Sequence, residues 1–241
     1  MKALILSDIH GNWPALQAVL KAEPDADVIL CLGDIVNYGP HPVECLEWVR
    51  ENLRPGHVVQ GNHDRALGLN QDSRCSAKYR EMALAMQDYT ASQLSDEQKA
   101  YLAALPASSG LEIEGTRMLL VHATPSDPFY SYVQADDHDR WEDEVVLAGH
   151  PDYLLVGHTH LPFVRQVRDT IIVNPGSVGQ PKDDDPGAAY VIWDGVTMCR
   201  CRASYDVKSA ARDLKACVSP EIAKELAAIL ANGGWPVHPL C

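Results

Sequence analysis

The chain has 241 residues and carries 33 acidic against 20 basic side chains, a formal net charge of −13 at pH 7. With 46% hydrophobic residues it can bury a substantial core, which excludes a disordered chain and a small disulfide-framework protein. The acidic balance excludes a surface that attracts nucleic acid as a whole, so an anionic partner requires a local positive site. We expect one domain over residues 1–241.

The cysteines and the start of the chain predict a cytoplasmic protein. Seven cysteines are scattered without a C-x-x-C pair, so reduced thiols are expected. The apolar run that follows Met1 and Lys2 is too short for the core of a signal peptide. No apolar stretch reaches the roughly 18 residues that a membrane span needs, so we expect no membrane partner.

Short apolar runs alternate with helical patterns through the first third of the chain. The predicted order is strand, helix, strand, helix, strand, over residues 2–7, 13–22, 27–32, 42–52 and 57–60. Asn12 suits the N-cap of the first helix, and Pro14 is tolerated in its first turn. Two crossover helices predict that the chain begins a parallel sheet.

A helical insert over about 76–105 comes next, with helices predicted at residues 77–91 and 95–105. Strands are then predicted at residues 111–114, 118–121, 153–156, 163–167, 170–173, 188–193 and 197–203. Many of them are too close together for crossover helices, so this half should be largely antiparallel. The final pattern predicts a C-terminal helical segment over about 206–231, with residues 206–230 as its regular part.

Residues 123–147 interrupt these strands as an irregular loop followed by a helix. The length of this segment suits a lid or a substrate-facing loop. An ordinary surface excursion is the alternative, and the sequence leaves both open.

Five short polar motifs each follow a predicted strand. They are Asp8-Ile9-His10, Gly33-Asp34, Gly61-Asn62-His63-Asp64, His122 and Gly157-His158-Thr159-His160. The carboxyl ends of parallel strands share one edge of an open sheet, so these side chains should converge there. The pairs Asp8/His10 and His158/His160 stand two residues apart, which projects both members to one side of an extended segment. Asp, Asn and His without a thiolate suit Mn, Fe, Zn or Mg.

The number of candidate ligands favours two metal ions over one. The candidates are Asp8, His10, Asp34, Asn62, His122, His158 and His160. That set exceeds a single catalytic site with three protein ligands but fits two open sites that share a carboxylate. Asp34 is the natural bridge, because it has two oxygens and follows a glycine that permits close backbone approach. Two divalent ions about 3.5–4 Å apart can hold a hydroxide and clamp a phosphoryl group for in-line attack, which predicts phosphoester hydrolysis.

The ordered series of motifs resembles the calcineurin-like metallophosphoesterase superfamily. Residues 174–181, Asn-Pro-Gly-Ser-Val-Gly-Gln-Pro, extend the resemblance to its small bacterial and archaeal phosphodiesterase branch. The resemblance implies an α/β fold, a four-layer α/β/β/α sandwich of two mixed sheets with two divalent metal ions at the strand ends. It implies that one ion is held by Asp8, His10, Asp34 and His160, and the other by Asp34, Asn62, His122 and His158. It gives His63 a catalytic role, as cationic stabiliser and general acid on the substrate phosphate or the leaving oxygen.

One departure from the family pattern bears on the substrate. Phosphoprotein phosphatases of the family carry Gly-Asp-x-x-Asp-Arg-Gly, whereas residues 33–39 here place Asn37 and Tyr38 at the second Asp and the Arg. Asn37 can accept a hydrogen bond from His63 without adding charge, and Tyr38 offers one hydroxyl instead of a bidentate fork. Both are candidate substrate-binding residues. A phosphodiester monoanion loses less from the missing Arg than a monoester dianion, so a small diester is the favoured substrate.

Other functions remain open on the same residues. A phosphomonoesterase or a nucleotide-polyphosphate hydrolase would take its missing cation from Arg165, Lys182 or Arg140. A non-catalytic scaffold of the same fold, as in the retromer subunit that resembles this family, is the alternative from another class. A DNA nuclease is disfavoured, because no basic run or aromatic platform is visible for a strand to follow. The native metal pair, the natural substrate and the oligomeric state are not indicated.

Overall fold

Two β-sheets form the centre of the structure, a computed structural model that describes residues 1–235. The strands are β1 (Ala3–Leu6), β2 (Val28–Cys31), β3 (Ser108–Ile113), β4 (Thr116–Val121), β5 (Tyr153–Leu155), β6 (Phe163–Val167), β7 (Thr170–Asn174), β8 (Ala188–Trp193) and β9 (Met198–Ala203). The helices are α1 (Trp13–Ala22), α2 (Pro42–Asn52), α3 (Asn62–Leu69), α4 (Arg80–Gln93), α5 (Asp96–Ala104), α6 (His138–Leu147), α7 (Val207–Asp213) and α8 (Pro220–Asn232).

The strand order places parallel pairs in both sheets. The first sheet runs β2-β1-β8-β9 and the second runs β3-β4-β5-β7-β6. β1 pairs with β2 in parallel, and β5 pairs in parallel with both β4 and β7, while the remaining pairings are antiparallel. The second half of the chain is therefore more mixed than the predicted, largely antiparallel arrangement. The parallel pairs bring the carboxyl ends of β1, β2, β4 and β5 to the site described below.

The apolar residues divide into the layers of a sandwich. Leu30, Leu155 and Trp193 lie in the core between the two sheets. Helices α1 and α2 pack on the outer face of the first sheet, and α6 packs through Trp141 and Val145 on the outer face of the second. The predicted α/β/β/α sandwich of two mixed sheets is thus confirmed.

Two early helices have the predicted bounds for local reasons. Asn12 caps α1 by accepting a hydrogen bond from the amide of Ala15 at 3.3 Å, with Pro14 in the first turn. Leu16 and Val19 form the buried stripe that packs against the sheet. Helix α2 likewise begins at Pro42, where the missing amide proton costs no helical hydrogen bond.

One predicted strand is wrong, and the predicted C-terminal helical segment is divided. Residues 57–60 form no strand: the segment makes one isolated parallel bridge, in which the amide of Cys31 donates to His57 and that of Val59 donates to Cys31, while the amide of Gln60 donates to the carbonyl of Pro106. The C-terminal segment is two helices, since Ser219 caps a new helix at Pro220 after a short 3-10 turn at 214–216.

Among the helices of residues 1–235, none has both the length and the apolar character needed to cross a bilayer.

Candidate active site

All seven candidate ligands meet at the carboxyl ends of parallel strands. Six of them follow strands: Asp8 and His10 follow β1, Asp34 follows β2, His122 follows β4, and His158 and His160 follow β5. The seventh, Asn62, is the first residue of α3. Each is at most 4% exposed. Six of them form two groups in which the potential donor atoms lie within 4.8 Å of one another, namely Asp8, His10 and His160, and Asp34, His122 and His158.

Backbone strain accompanies this convergence. A left-handed conformation, with φ between 47° and 74°, is adopted by Asp8, His10, Asp34, Asn37, Tyr38, His158 and His160. Non-glycine residues visit this region at a cost of about 1 kcal/mol or more, and they cluster where function requires it. The i, i+2 pairs therefore do converge, but through left-handed turns rather than through the extended segments that the sequence pattern predicted.

Backbone carbonyls fix the tautomer of three histidines. The Nδ1 atoms of His10, His122 and His160 donate to the carbonyls of Val36, Leu32 and Gln180 at 3.2, 2.7 and 2.5 Å. When these rings are neutral, each Nε2 atom therefore carries a lone pair, and those of His10 and His160 lie 3.1 Å apart. A histidine held through one nitrogen with the other unprotonated is the arrangement that metal-binding histidines adopt.

Asp34 stands between the two groups. Its Oδ2 atom lies 3.3 Å from His122 Nε2 and 3.7 Å from His10 Nε2, so one oxygen faces a member of each group. Its Oδ1 atom accepts a hydrogen bond from the amide of His63 at 2.9 Å. Asn62 joins the second group, because its Oδ1 lies 3.1 Å from His122 Nε2 while its amide nitrogen donates to the carbonyl of Ser73 at 2.8 Å.

The charge state of the cluster suits a divalent cation. Burial opposes the ionisation of Asp34, yet the facing imidazoles hold its pKa well below the usual value. Burial lowers the pKa of His122, but the charge of Asp34 outweighs it and raises that pKa to about 9. Two buried polar atoms, Asp8 Oδ1 and His158 Nε2, have no hydrogen-bond partner among the described residues. Buried oxygen and nitrogen atoms of these types are potential metal ligands. Because they have no hydrogen-bond partner and lie in a cluster that contains ionised carboxylates, they fit metal ions.

Two glycines keep the motifs close together. A Cβ atom on Gly61 would overlap the carboxylate of Asp34, and a Cβ on Gly157 would overlap the hydroxyl of Ser7. Ser7 in turn donates to Asp8 Oδ2 at 2.5 Å. Gly33 has φ 92° and packs against the backbone of Gly61, which agrees with the predicted close approach before Asp34.

His63 and Asn37 are in contact, but with the opposite polarity from the one predicted. The Oδ1 atom of Asn37 accepts from the amide of Tyr38 at 2.9 Å, and its Nδ2 donates to the carbonyl of Ala83 at 3.3 Å. Asn37 therefore presents its NH₂ group to His63 Nδ1, at 2.7 Å. Asn37 donates rather than accepts, so a neutral His63 carries its proton on Nε2. Burial lowers the pKa of His63 to about 4.

The cavity beside His63 has a wall of tyrosines and one lysine. Tyr38, Tyr79, Tyr132 and Lys182 line it together with the candidate ligands. Tyr132 comes from the irregular segment at 123–147, and its ring lies 4.2 Å from that of His158, measured between centroids. The structure thus places part of this segment on the cavity wall, where a substrate-facing loop would lie. Tyr79 and Lys182 belong to none of the five sequence motifs, and only the fold brings them to this cavity.

Of the three cations considered for the alternative functions, Lys182 alone is on this wall. Arg140 lies on α6, where it contacts Glu144 and Ser126 at 3.1 Å each. Arg165 belongs to β6, the edge strand of the second sheet.

Comparison with known proteins identifies the family. The sequence profile described as the calcineurin-like phosphoesterase superfamily domain matches residues 1–197. The chain belongs to this superfamily. The prediction made from the motifs is confirmed, and this calcineurin-like phosphoesterase is a hydrolase acting on phosphoester bonds.

Individual relatives of this calcineurin-like phosphoesterase agree with that membership. An uncharacterized protein of Methanocaldococcus jannaschii is 34% identical over 226 residues, 86% of this chain and 88% of the relative. The phosphodiesterase YfcE of Escherichia coli is 27% identical over 204 residues, 80% of this chain and 88% of YfcE. The crystal structure of a metallophosphoesterase from Sphaerobacter thermophilus superimposes with a TM-score of 0.78 at 32% identity, covering 97% of this chain and 99% of that one. The predicted branch of small bacterial and archaeal phosphodiesterases is thereby confirmed.

Proposed function

We propose that the protein is a dinuclear metal-dependent phosphodiesterase that acts on small diesters. The observation that carries this proposal is the position of Asp34 Oδ2, 3.3 and 3.7 Å from one histidine of each ligand group. Two ligand groups that meet at one carboxylate would fit the pair of adjacent metal ions that two-metal phosphoester hydrolysis uses.

The described contacts support a specific division of ligands. Asp8, His10, Asp34 and His160 would hold one ion, and Asp34, Asn62, His122 and His158 the other. The unpartnered Asp8 Oδ1 belongs to the first set and the unpartnered His158 Nε2 to the second. The carbonyl bonds at Nδ1 of His10, His122 and His160 turn their Nε2 atoms inward in both sets.

The protein's own groups then divide the remaining work. When bound, two divalent ions supply Lewis-acid stabilisation of the phosphoryl oxygens and activation of the attacking water. His63 lines the cavity, and the NH₂ group of Asn37 at Nδ1 keeps a proton on Nε2. That Nε2–H group can donate to a phosphoryl oxygen or to the departing oxygen. The loops around Tyr38 and Tyr132 narrow the cavity and limit the access of water.

Turnover of two model substrates tests the preference for diesters. We expect the manganese-loaded protein to hydrolyse bis-p-nitrophenyl phosphate faster than p-nitrophenyl phosphate, because Tyr38 stands where an arginine would grip a dianion. Faster monoester turnover would contradict the preference. A purified protein that holds no metal and shows no turnover with any added divalent ion would support the non-catalytic scaffold instead.

A phosphomonoesterase or nucleotide-polyphosphate hydrolase is the second candidate. It is favoured by one observation, the presence of Lys182 on the cavity wall. A lysine there supplies positive charge that the arginine would otherwise provide, so the comparison of the two model substrates decides between the candidates.

We further propose that the chain forms one domain and acts in the cytoplasm. The cysteines of residues 1–235 are free thiols, which suits a reducing compartment, while Cys241 lies outside the described residues.

A further inference from the structure

Lys182 is a cation that the candidate metal chemistry does not use. Its side chain lines the same cavity as His63, His158 and His160. Its Nζ atom lies 4.6 Å from the centroid of the Tyr79 ring, within the range of a cation–π contact. Burial lowers the pKa of Lys182 to about 8, while the charges of Asp8 and Asp34 act to raise it.

The segment that carries Lys182 is held on both sides. Gln180 accepts from His160 Nδ1 at 2.5 Å, which ties the segment to a candidate ligand. On the other side, the amide of Asp184 donates to the carbonyl of Gly233 at 2.9 Å. The backbone of Lys182 is therefore fixed relative to the cavity before any substrate arrives.

The neighbouring acids are paired elsewhere. Asp183 and Asp185 both form ion pairs with Arg202. Within residues 1–235, no carboxylate lies within 4.0 Å of the Lys182 ammonium group, which instead lies over the face of the Tyr79 ring. An ammonium that faces a cavity and lacks a bound carboxylate has three donors free for an anionic ligand.

We propose that Lys182 binds one phosphoryl oxygen of the substrate as a point charge, without the bidentate grip on a dianion that an arginine would give. This inference rests on the proposed hydrolysis of phosphoesters at the same site. The Tyr79 ring holds the ammonium against the cavity wall, so little side-chain freedom is lost when the anion binds. A lysine presents a point charge instead of a planar fork, which suits a single oxygen of a phosphoryl group.

The chain offers a matched control in Lys78. Its Nζ atom lies 5.8 Å from the centroid of Tyr79 and 4.8 Å from that of Trp235, so it contacts the same aromatic pair. Lys78 is exposed and is not among the residues that line the cavity. Replacing it removes one positive charge and two cation–π contacts without removing a group from the cavity.

The test compares Lys182→Met with Lys78→Met in the zinc-loaded full-length protein. Binding of inorganic phosphate is measured by calorimetry, kcat/KM is measured on bis-p-nitrophenyl phosphate, and metal content is measured by mass spectrometry. We expect Lys182→Met to weaken phosphate binding and to lower kcat/KM by about 10- to 100-fold with metal content unchanged, as expected for a lost charge-assisted hydrogen bond. Lys78→Met should change either quantity by less than about twofold. Lys182→Arg should recover most of the phosphate affinity.

Each of the other outcomes overturns either the proposed role of Lys182 or the proposed hydrolysis, and the three measurements tell these cases apart. Equal losses in the two methionine variants would show a general effect of positive charge, and unchanged phosphate binding in Lys182→Met would show no contact. Loss of metal in Lys182→Met would indicate a structural role. A wild-type protein that binds phosphate through Lys182 but hydrolyses no ester would retain this inference and refute the proposed function.

Discussion

The role of His63 can be separated from metal binding, because its side chain belongs to neither ligand group. We predict that His63→Ala lowers kcat on bis-p-nitrophenyl phosphate by about 10²-fold or more, since a positioned hydrogen-bond donor to the developing negative charge contributes about that factor. Metal content should stay at the wild-type level. His138→Ala, an exposed histidine on α6, is the control and should retain full turnover. Full turnover in His63→Ala would show that the protein does not use this imidazole in catalysis.

Asp34 allows a sharper prediction, because its replacement should lower both stability and metal binding. The facing imidazoles hold the pKa of Asp34 well below its usual value, so the ionised carboxylate stabilises the folded protein at pH 7. We predict that Asp34→Asn lowers the melting temperature of the metal-free protein at pH 7, because the variant loses one partner of a buried charge cluster.

The same variant should lose the stabilisation that added manganese gives to the wild type, about 2.7 kcal/mol when the free metal is at 100 times its Kd. Thermal unfolding with and without manganese measures both effects. A wild-type increase in melting temperature on metal addition to Asp34→Asn would contradict the shared carboxylate.

At the scale of elements, two contacts fasten the segment that carries Tyr132. The guanidinium carbon of Arg65 lies 4.8 Å from the ring centroid of Phe129, and that of Arg74 lies 4.9 Å from the centroid of Tyr130. Both arginines come from α3 and the loop after it, so these contacts connect two walls of the cavity. Each exposed cation–π contact is worth about 0.5–1 kcal/mol.

We predict that Arg65→Ala combined with Arg74→Ala lowers kcat/KM on bis-p-nitrophenyl phosphate by about 5- to 30-fold and speeds proteolytic cleavage near Tyr132. The loss of both contacts frees the loop, and metal content should not change. Arg50→Ala, which removes a similar contact to Tyr101 on α5, should leave kcat/KM unchanged. Wild-type kinetics in the double variant would mean that this loop only covers the surface.

The sequence predicted the elements whose local signals agree with the fold. The Asn12 cap of α1, the proline that begins α2 and the apolar stripes of both helices agree with their predicted bounds, which are confirmed. Helix α3 was missed, because its first turn consists of the motif residues Asn62, His63 and Asp64, which do not form an apolar stripe. The strand expected at 57–60 is reduced to a single bridge with Cys31, and the amide of Gln60 donates to the carbonyl of the distant Pro106. Pairing of that kind is decided by the tertiary structure and is invisible to periodicity.

The candidate site, like the fold, was predictable from the sequence only in part. Residue types and spacing predicted which side chains would meet, and the structure brings the seven candidate ligands together, although their roles stay predictions. The left-handed backbone at Asp8 and His158 was not predictable, because each strained residue is held by contacts from other segments. The amide of His158, for example, donates to Asp8 Oδ2 at 3.1 Å across 150 positions of sequence. Lys182 was one of three candidate cations until the fold placed it on the cavity wall.

At the scale of the whole molecule, the net charge of −13 must be reconciled with an anionic substrate. Two divalent ions against the two carboxylates Asp8 and Asp34 would give the proposed centre a net charge of about +2. Lys182 adds a further positive charge on the cavity wall. A small diester monoanion experiences mainly this local field, whereas an oligonucleotide also meets the acidic surface around it.

We therefore predict that ionic strength affects the two kinds of substrate differently. The Debye length falls from about 30 Å at 0.01 M to about 10 Å at 0.1 M salt, which screens the outer acidic surface before it screens contacts inside the cavity. With manganese kept saturating, raising the salt over this range should change turnover of bis-p-nitrophenyl phosphate by less than about twofold. Cleavage of a single-stranded oligonucleotide should start much slower and rise several-fold. A fall in oligonucleotide cleavage with salt is the behaviour of a protein that binds the strand through released counterions. That result would mean that this acidic protein has a positively charged groove for nucleic acid. The surface charge of the protein would then not restrict its substrates to small diesters.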